Sequence, residues 1–211
     1  MEREELSNAE RWANEYAEDH ERILETREAA VKTLLQTIEP DITREGLLET
    51  PRRVARMYDE VFGGYFMDPA QILSKDFEAD GYKDLVLVRD IEFWSFCEHH
   101  MAPFFGVVHI AYLPEDRVIG LSKLARLVDC FARRLQIQER MTSQIADAIE
   151  TYLKPKGVAV VVSGTHTCMT ARGAKTPTAS AVTSAMRGVF LSSPEARSEV
   201  LSLIELKPRG R

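Results

Sequence analysis

Cysteine and histidine occur in two short clusters that have the composition of a metal site. Cys97 and His100 stand three residues apart, and His166 precedes Cys168 by two residues. Thiolate and imidazole are ligands that zinc prefers, and the spacing of the first pair lets both side chains reach one ion. With Cys168 the clusters supply three ligands. Structural zinc sites usually have four, so three indicate a position left for water, whose pKa the ion lowers towards about 7.

The alternative is that these cysteines and histidines are unrelated, because a single Cys-x-x-His often occurs by chance. The chain has only five His and three Cys, however, and two clusters that each combine both types favour a shared metal. Cys130 lies beside Phe131 in an apolar helical pattern, so we expect it to be a small core residue. His20 and His109, on a charged helix and a strand, are expected to be ordinary residues.

Basic residues gather near these motifs, although the chain as a whole is acidic. Its net charge of −6 argues against a general nucleic-acid binder. A local excess of Lys and Arg beside a metal motif indicates an anionic substrate, and Ser122 at a helix start offers a hydroxyl and free amides to phosphate. For each residue alone, a solvated helix face is the alternative. The basic residues are Lys123, Arg126, Arg133, Arg134, Arg140, Arg172 and Lys175.

Two helices are predicted before the first metal cluster. Residues 8–38 are charged, lack Gly and Pro, and carry apolar side chains at helical intervals, until Pro40 ends the pattern. A second helix is predicted with Thr50 as its N-cap and Pro51 in first position, ending at Gly63-Gly64.

Strands and helices follow in pairs. The order predicts an α+β fold with a mainly antiparallel sheet of four strands, and open sheet edges invite pairing with a neighbouring subunit. The predicted elements are strands at 85–93 and 107–113, helices from Ser122 and over 138–153, strands at 157–162 and within 180–191, and a helix from Pro194 after the cap Ser193.

Composition sets further expectations about the environment. No stretch of 18 apolar residues occurs, so no membrane span is expected, and Met1–Ser7 is too charged for a secretion signal. Three cysteines are too few for a disulfide framework. We therefore expect a cytoplasmic protein whose thiols are free to bind metal.

Five blocks of sequence, in their order and spacing, resemble the signatures of GTP cyclohydrolase I. The similarity extends over about residues 46–204. It departs from the family pattern at Ser163-Gly164, where many members have an acidic residue followed by Ala, and at Met186-Arg187, where a small or apolar residue precedes Gly-x-Phe. The blocks are Thr50-Pro-Arg-Arg-Val-Ala-Arg-Met-Tyr58, Cys97-Glu-His-His100, Gly120-Leu-Ser-Lys-Leu-Ala-Arg126, Gln136-Ile-Gln-Glu-Arg140 and His166-Thr-Cys-Met-Thr-Ala-Arg-Gly173.

The resemblance implies roles for individual residues. His99 and His166 match acid–base groups, which suits imidazole near neutral pH. Glu139, with Gln138 beside it, matches the guanine-recognition site, since a carboxylate can accept from the ring N–H and the exocyclic amine. The implied set comprises zinc ligands Cys97, His100 and Cys168; catalytic residues His99, His166, Gln138 and Ser122; and substrate-binding residues Glu98, Glu139, Lys123, Arg126 and Arg172, with Ser122 also among the triphosphate positions.

The implied reaction is zinc-dependent hydrolysis and rearrangement of GTP to 7,8-dihydroneopterin triphosphate and formate, which begins pterin and folate biosynthesis. Water adds at C8 of guanine, the ring opens, formate leaves, and the opened ribose rearranges and closes. Allosteric control is a further expectation from the family, whereas no nucleic-acid or membrane partner is expected.

The implied architecture is the tunnelling fold, in which antiparallel strand pairs flank two central helices. Strands pair between subunits into a barrel, usually a homodecamer of two pentamers with active sites between subunits. For this chain, we expect an N-terminal helical arm at 1–64, a catalytic domain of this fold at 65–206 and a basic tail at 207–211, although the first 40 residues carry no family signal.

Two other functions are compatible with the motifs. One is an enzyme of the same fold that stops after ring opening or takes another purine. Nitrile reductases of this fold fit less well, because they do not need the metal triad. The other is a zinc-stabilised oligomeric scaffold. Three ligands instead of four, with acid–base groups around them, favour the enzyme.

Overall fold

The computed structural model describes Tyr16 and residues 18–205. The chain divides into two compact units, Met1–Phe66 and Met67–Arg211. The first unit contains helices α1 (His20–Ile38), α2 (Glu45–Leu48) and α3 (Thr50–Val61), followed by a 3-10 turn at Gly63–Phe66.

In the first unit α1 packs against α3, and Asp59 of α3 joins them. Its carboxylate accepts hydrogen bonds from the Tyr16 hydroxyl, from His20 Nε2 at 2.9 Å and from Arg27 Nη1 at 2.6 Å. Burial alone raises the pKa of Asp59, but these hydrogen bonds outweigh it and leave the pKa below its ordinary value.

The two helices predicted for this unit are present in the described residues. Residues 8–15 and 17 of the first prediction lie outside them. The expected cap is wrong by one residue: Glu49 is the N-cap, and Thr50 is already helical. The Thr50 hydroxyl donates to the Gly46 carbonyl at 3.4 Å instead of accepting an amide.

The second unit contains the sheet and the central helices. Its elements are α4 (Pro69–Leu73), β1 (Asp76–Glu78), β2 (Val86–Cys97), β3 (Pro103–Leu113), β4 (Arg117–Ile119), α5 (Leu121–Ala132), β5 (Leu135–Gln136), α6 (Gln138–Leu153), β6 (Gly157–His166), α7 (Thr167–Thr170), β7 (Ala181–Gly188), α8 (Val189–Ser192) and α9 (Pro194–Glu205).

The sheet of the second unit has five strands in the order β5-β2-β3-β6-β7, not the predicted four. Its pairings are antiparallel except that between β2 and β5, and β1 pairs with β4 in a separate two-stranded sheet. The four predicted strands are present, and the chain has the expected α+β character. β2 and β3 extend further than predicted, with Phe96 opposite Pro103, so the metal motif lies in a tight turn.

Helices α5 and α6 bury their apolar stripes against one face of the sheet. Leu127, Val128, Met141 and Ile145 are fully buried there, as the helical periodicity predicts. Cys130 is fully buried too, confirming the expected core position. Side chains alternate along a strand, so Ala111 and Ala159 belong to the other face, where they pack with Phe190 and Val200 of the C-terminal helices.

The helix starts follow the local sequence closely. α5 begins at Leu121 after the cap Gly120, so Ser122 is one residue inside the helix and does not open it. α6 has the predicted bounds, and the Ser193 hydroxyl accepts from the Ala196 amide at 3.2 Å, as a cap of α9 should. None of the described helices has the length and hydrophobicity to cross a bilayer.

Candidate active site

The turn between β2 and β3 folds two histidines back onto a cysteine. The Cys97 amide donates to the Ala102 carbonyl at 2.8 Å, and the Met101 amide donates to the Cys97 carbonyl at 2.8 Å. Met101 adopts a positive φ of 50°, which reverses the chain. As a result, Cys97 Sγ lies 3.6 Å from His99 Nδ1 and 3.8 Å from His100 Nδ1.

Cys168 reaches this turn from the neighbouring strand. Phe104 of β3 pairs with His166 of β6, and the Thr167 hydroxyl donates to the Pro103 carbonyl at 2.6 Å. These contacts bring α7, which carries Cys168, beside the turn. The ligand atoms of Cys97, His100 and Cys168 lie within 4.8 Å of one another.

The three side chains fit a zinc ion by donor type and by distance. Ligands about 2.0–2.3 Å from a tetrahedral ion are roughly 3.5–3.8 Å apart, and the Cys97 Sγ to His100 Nδ1 distance is 3.8 Å. Burial raises the pKa of Cys168, and the neighbouring Cys97 raises it further. Like charges in one site repel each other, so both cysteines can be thiolates here only with a cation between them.

His166 is held in place on two sides. Its ring stacks on Phe104 with centroids 4.4 Å apart and planes 6° apart, and its Nε2 lies 2.9 Å from Gln138 Oε1. Burial lowers the pKa of His166, while the negative charge of Glu139 acts in the opposite direction. The ring is therefore an oriented, neutral imidazole near neutral pH.

Gln138, predicted beside the guanine site, is buried to 2% exposure at the start of α6. Its Nε2 lies 3.2 Å from the Val162 carbonyl and 3.0 Å from the Ala181 carbonyl. Gly164 makes room for this carboxamide, because a Cβ at that position would lie 2.6 Å from Gln138 Oε1. Glu139, the next residue, is exposed, so the carboxylate is open to a ligand while the amide is not.

Glu98 and Arg140 form a bidentate ion pair beside the turn. Arg140 Nη1 donates to Oε2 at 2.7 Å and Nη2 donates to Oε1 at 2.8 Å. The hydrogen bonds from Arg140 hold the pKa of Glu98 below its ordinary value. The pair ties the metal turn to α6 and occupies both oxygens of Glu98, a predicted substrate ligand.

Part of the predicted phosphate site lies away from the metal cluster. The Ile119 amide, just before α5, donates at 3.1 Å to the hydroxyl of Tyr112, which pairs with Val86 at the start of β2. Beyond the other end of α5, the Arg134 carbonyl accepts at 3.5 Å from the hydroxyl of Ser95. Ser95 lies on β2, two residues before Cys97. A twelve-residue helix is about 18 Å long.

The predicted site residues therefore fall into two groups. Ser122 and Lys123 occupy the first turn of α5, with the exposed Arg126 one turn further on, and they lie towards the end remote from the metal turn. The residues that the structure brings together at the metal end are Cys97, Glu98, His99, His100, Gln138, Glu139, His166, Cys168 and Arg172.

Three further residues support the site without having been predicted from the sequence. Phe104 stacks on His166, Thr183 Oγ1 lies 3.1 Å from Gln138 Nε2, and Thr142 Oγ1 lies 2.7 Å from Thr183 Oγ1. These residues belong to none of the sequence motifs and are distinguished only by lying in a strand or a helix. Contact with His166 or Gln138 depends on strand register, which no motif in the chain specifies.

Two cysteines and a histidine at ligand distance, an oriented imidazole and an open carboxylate at the end of a sheet define a candidate metalloenzyme of the α+β class. Comparison with known proteins identifies its family. The family model described as GTP cyclohydrolase I matches residues 27–205, and the chain belongs to that family. It is accordingly a GTP cyclohydrolase.

Relatives match over most of their own length. The chain is 52% identical over 178 residues to a GTP cyclohydrolase 1 from Chlorobium chlorochromatii. The aligned residues cover 84% of this chain and 80% of that protein. It is 55% identical over 185 residues to a GTP cyclohydrolase 1 from Bacillus cytotoxicus, covering 87% and 97%. The crystal structure of an archaeosine synthase, QueF-Like, in the apo form matches with a TM-score of 0.42 and 17% identity, over 51% of this chain and 96% of that one.

Proposed function

We propose that the chain converts GTP to 7,8-dihydroneopterin triphosphate and formate in a zinc-dependent reaction. The observation that carries this proposal is the convergence of Cys97, His100 and Cys168 within 4.8 Å, in a chain of the GTP cyclohydrolase I family. His166 stands two residues from Cys168 and His99 Nδ1 lies 3.6 Å from Cys97 Sγ, so acid–base groups adjoin the proposed ion.

Cys97, His100 and Cys168 would hold the zinc ion. Two thiolates and one imidazole match the donor preference of zinc, and three ligands leave a fourth position open. When bound, the ion lowers the pKa of a coordinated water towards about 7. Phe104 and Gln138 restrict the His166 ring to one orientation, and a fixed imidazole beside the reacting ring can transfer protons near neutral pH.

Glu139 would recognise guanine. Its side chain is exposed beside the buried Gln138, and its carboxylate can accept from both the N1–H and the exocyclic amine of the base. Gln138 would act through His166, its hydrogen-bond partner at 2.9 Å. Glu98, paired with Arg140, would keep the metal turn against α6 and so shape the substrate pocket.

The triphosphate would be bound by Ser122, Lys123, Arg126 and Arg172. Arg172 is close to Cys168, but Ser122 and Lys123 start a helix about 18 Å long that ends near Cys97. GTP is shorter than this from guanine C8 to its γ-phosphate. We therefore infer that a second subunit supplies Ser122, Lys123 and Arg126, so each active site lies between two copies of the chain.

Assembly through sheet edges fits this inference. Within the described residues, β7 is an edge strand, and β2 pairs with β5 only at Phe96 and Cys97, so most of each edge has no strand beside it. A closed ring of such sheets, the barrel of the tunnelling fold, is the proposed assembly. Two facing pentamers are the proposed number, with 1–64 as a helical arm, 65–206 as the catalytic domain and 207–211 as a tail.

The test is GTP turnover by the purified protein, following formate and the absorbance of the dihydropterin with and without a chelator. We expect both products, loss of both on chelation, and recovery on adding zinc. Formate without dihydropterin would identify an enzyme that stops after ring opening. No turnover by protein that retains zinc would instead support a scaffold, and would contradict the proposal.

A further inference from the structure

The orientation of the Gln138 carboxamide is determined by its surroundings. One end of the group faces the carbonyl oxygens of Val162 and Ala181, at 3.2 and 3.0 Å. Carbonyl oxygens accept hydrogen bonds and cannot donate them, so the NH₂ group must lie at this end. The carbonyl oxygen Oε1 must then face His166 Nε2, at 2.9 Å.

Two threonines complete the contacts of this amide. The Thr142 hydroxyl donates its one proton to the Gln138 backbone carbonyl at 2.7 Å. In the 2.7 Å contact between the two hydroxyls, Thr183 must therefore be the donor and Thr142 the acceptor. The Thr183 oxygen retains a lone pair that faces Gln138 Nε2 at 3.1 Å, so Thr183 and the two backbone carbonyls share the two amide hydrogens.

This arrangement selects one tautomer of His166. Gln138 Oε1 is an acceptor, so His166 Nε2 must carry a hydrogen to bond to it. In the neutral ring Nδ1 is then unprotonated. The stacked Phe104 prevents the ring from turning out of this plane, so the hydrogen bond and the stacking together leave Nδ1 as the nitrogen available to a bound ligand.

We propose that Thr183 is a positioning residue, which holds the Gln138 carboxamide against the His166 ring and so fixes the orientation of that ring. Thr142 serves the same purpose one contact further away. The link to turnover rests on the proposed function, because it takes His166 as an acid–base group. Gly164 is a second observation. A Cβ at this position would lie 2.6 Å from Gln138 Oε1, so the amide fits here only because residue 164 has no side chain.

The test compares Thr183→Val, Thr183→Ser and Ser184→Ala. Valine keeps the branched shape but removes the hydroxyl, whereas serine keeps the hydroxyl. Ser184 is exposed on the opposite face of β7 and serves as the matched control. We expect Thr183→Val to lower kcat about tenfold, the rate equivalent of one net hydrogen bond, with KM for GTP unchanged. Thr183→Ser and Ser184→Ala should behave as the parent.

A spectroscopic readout separates positioning from stability. Solid-state ¹⁵N NMR of histidine-labelled protein at pH 8, assigned with His166→Gln, should show the Nε2–H form of His166 in the parent. In Thr183→Val the carbonyls of Val162 and Ala181 still hold the amide NH₂, so we expect the same form with a shifted Nε2 resonance, because the hydrogen bond to Oε1 is displaced. Zinc content and Tm, measured on the same samples, show whether the variant is folded. If it is not, Thr142→Val tests the same chain of hydrogen bonds from α6 and should produce the same shift.

Several outcomes would overturn the proposal. Equal kcat losses in Thr183→Val and Thr183→Ser would show that shape matters and not the hydroxyl. An Nδ1–H form of His166 in the parent would contradict the hydrogen-bond assignment, and an unchanged Nε2 resonance in Thr183→Val would contradict the role of Thr183. A parent that shows the Nε2–H form but does not turn over GTP would refute the proposed function and leave the positioning of the ring intact.

Discussion

Three cysteines of similar intrinsic chemistry have different surroundings in this chain. Cys97 and Cys168 approach each other and His100 at one end of the sheet. Cys130 is fully buried in α5, where its Sγ accepts from Arg134 Nη2 at 3.3 Å and donates to the Met67 carbonyl at 3.4 Å. Burial raises the pKa of the Cys130 thiol, which keeps it protonated and unreactive.

These differences predict the outcome of two matched substitutions. Cys168→Ala removes a proposed ligand and leaves two, so zinc content by metal analysis and GTP turnover should both fall by about 10²-fold or more. Cys130→Ala should retain metal and turnover, and should lower stability by about 1–2 kcal/mol because a buried contact and its hydrogen bonds are lost. Equal metal content in the two variants would refute the assignment.

The residue types and spacing were sufficient to predict that Cys97, His100 and Cys168 come together, but not the contacts that support the site. Cys97 and His100 share a turn, so their proximity is local. The partnership of Gln138 with His166 joins residues 28 positions apart across α6 and β6. It depends on the register of β6 and on the missing side chain at Gly164. Neither gives a signal in a single sequence.

At the scale of elements, β2 has an irregularity that places a histidine next to a backbone amide. Its register with β3 shifts between Val88 and Ile91, and Asp90 adopts a positive φ of 59°. The Asp90 amide donates at 3.2 Å to His109 Nδ1. Burial lowers the pKa of His109; the Asp90 carboxylate raises it and Arg89 lowers it. His109 is thus held neutral by its place in the sheet.

This depressed pKa gives the stability of the protein a pH dependence of known sign. The unfolded chain protonates His109 at about pH 6.5, above the folded-state pKa. The contribution to stability is therefore complete above about pH 6.5 and is lost as the pH falls through the folded-state pKa. Asparagine at this position offers an acceptor oxygen and does not titrate.

Thermal unfolding of the parent and His109→Asn, measured between pH 8 and pH 5, should show this difference directly. We expect Tm of the parent to decline more steeply below about pH 6.5, so the gap in Tm between the two proteins narrows towards acid. Parallel curves would mean that His109 has the same pKa in the folded and unfolded chains.

Elements with strong local signals were predicted well, and short ones were not. α6 and α9 have long apolar stripes or a Ser-Pro start, which fix their bounds locally. β1, β4 and β5 contain two or three residues each, too few to show an alternating pattern. They form because a longer strand or a partner strand is already in place, which is a tertiary effect.

At the scale of the whole molecule, the two ends of α5 separate the proposed phosphate residues from the metal turn. If neighbouring copies complete each site, two inactive variants should restore each other. Lys123→Ala lacks the phosphate half and His166→Ala lacks the acid–base half. Mixed and reassembled in equal amounts, they should regain about a quarter of the parental sites, since a head-to-tail interface joins one half from each neighbour.

The mixing experiment has a built-in control. A chain that carries both substitutions should remain inactive when reassembled by itself, as should each single variant by itself. If the 1:1 mixture also stays inactive after reassembly confirmed by size, each chain must build its site alone, and the inferred sharing between copies would be refuted.

The ligand arrangement has a consequence for the order of events during folding. Cys97 and His100 lie in one turn, whereas Cys168 joins them only after β6 has aligned along β3, from Leu113↔Gly157 to Phe104↔His166. Contacts this distant in sequence form slowly, after the local hairpin. A metal ion that met the nascent hairpin would find two of the proposed ligands, and the third contact would form last. The ion would then act as a late clamp that slows unfolding of the native sheet while leaving the early steps of folding unchanged.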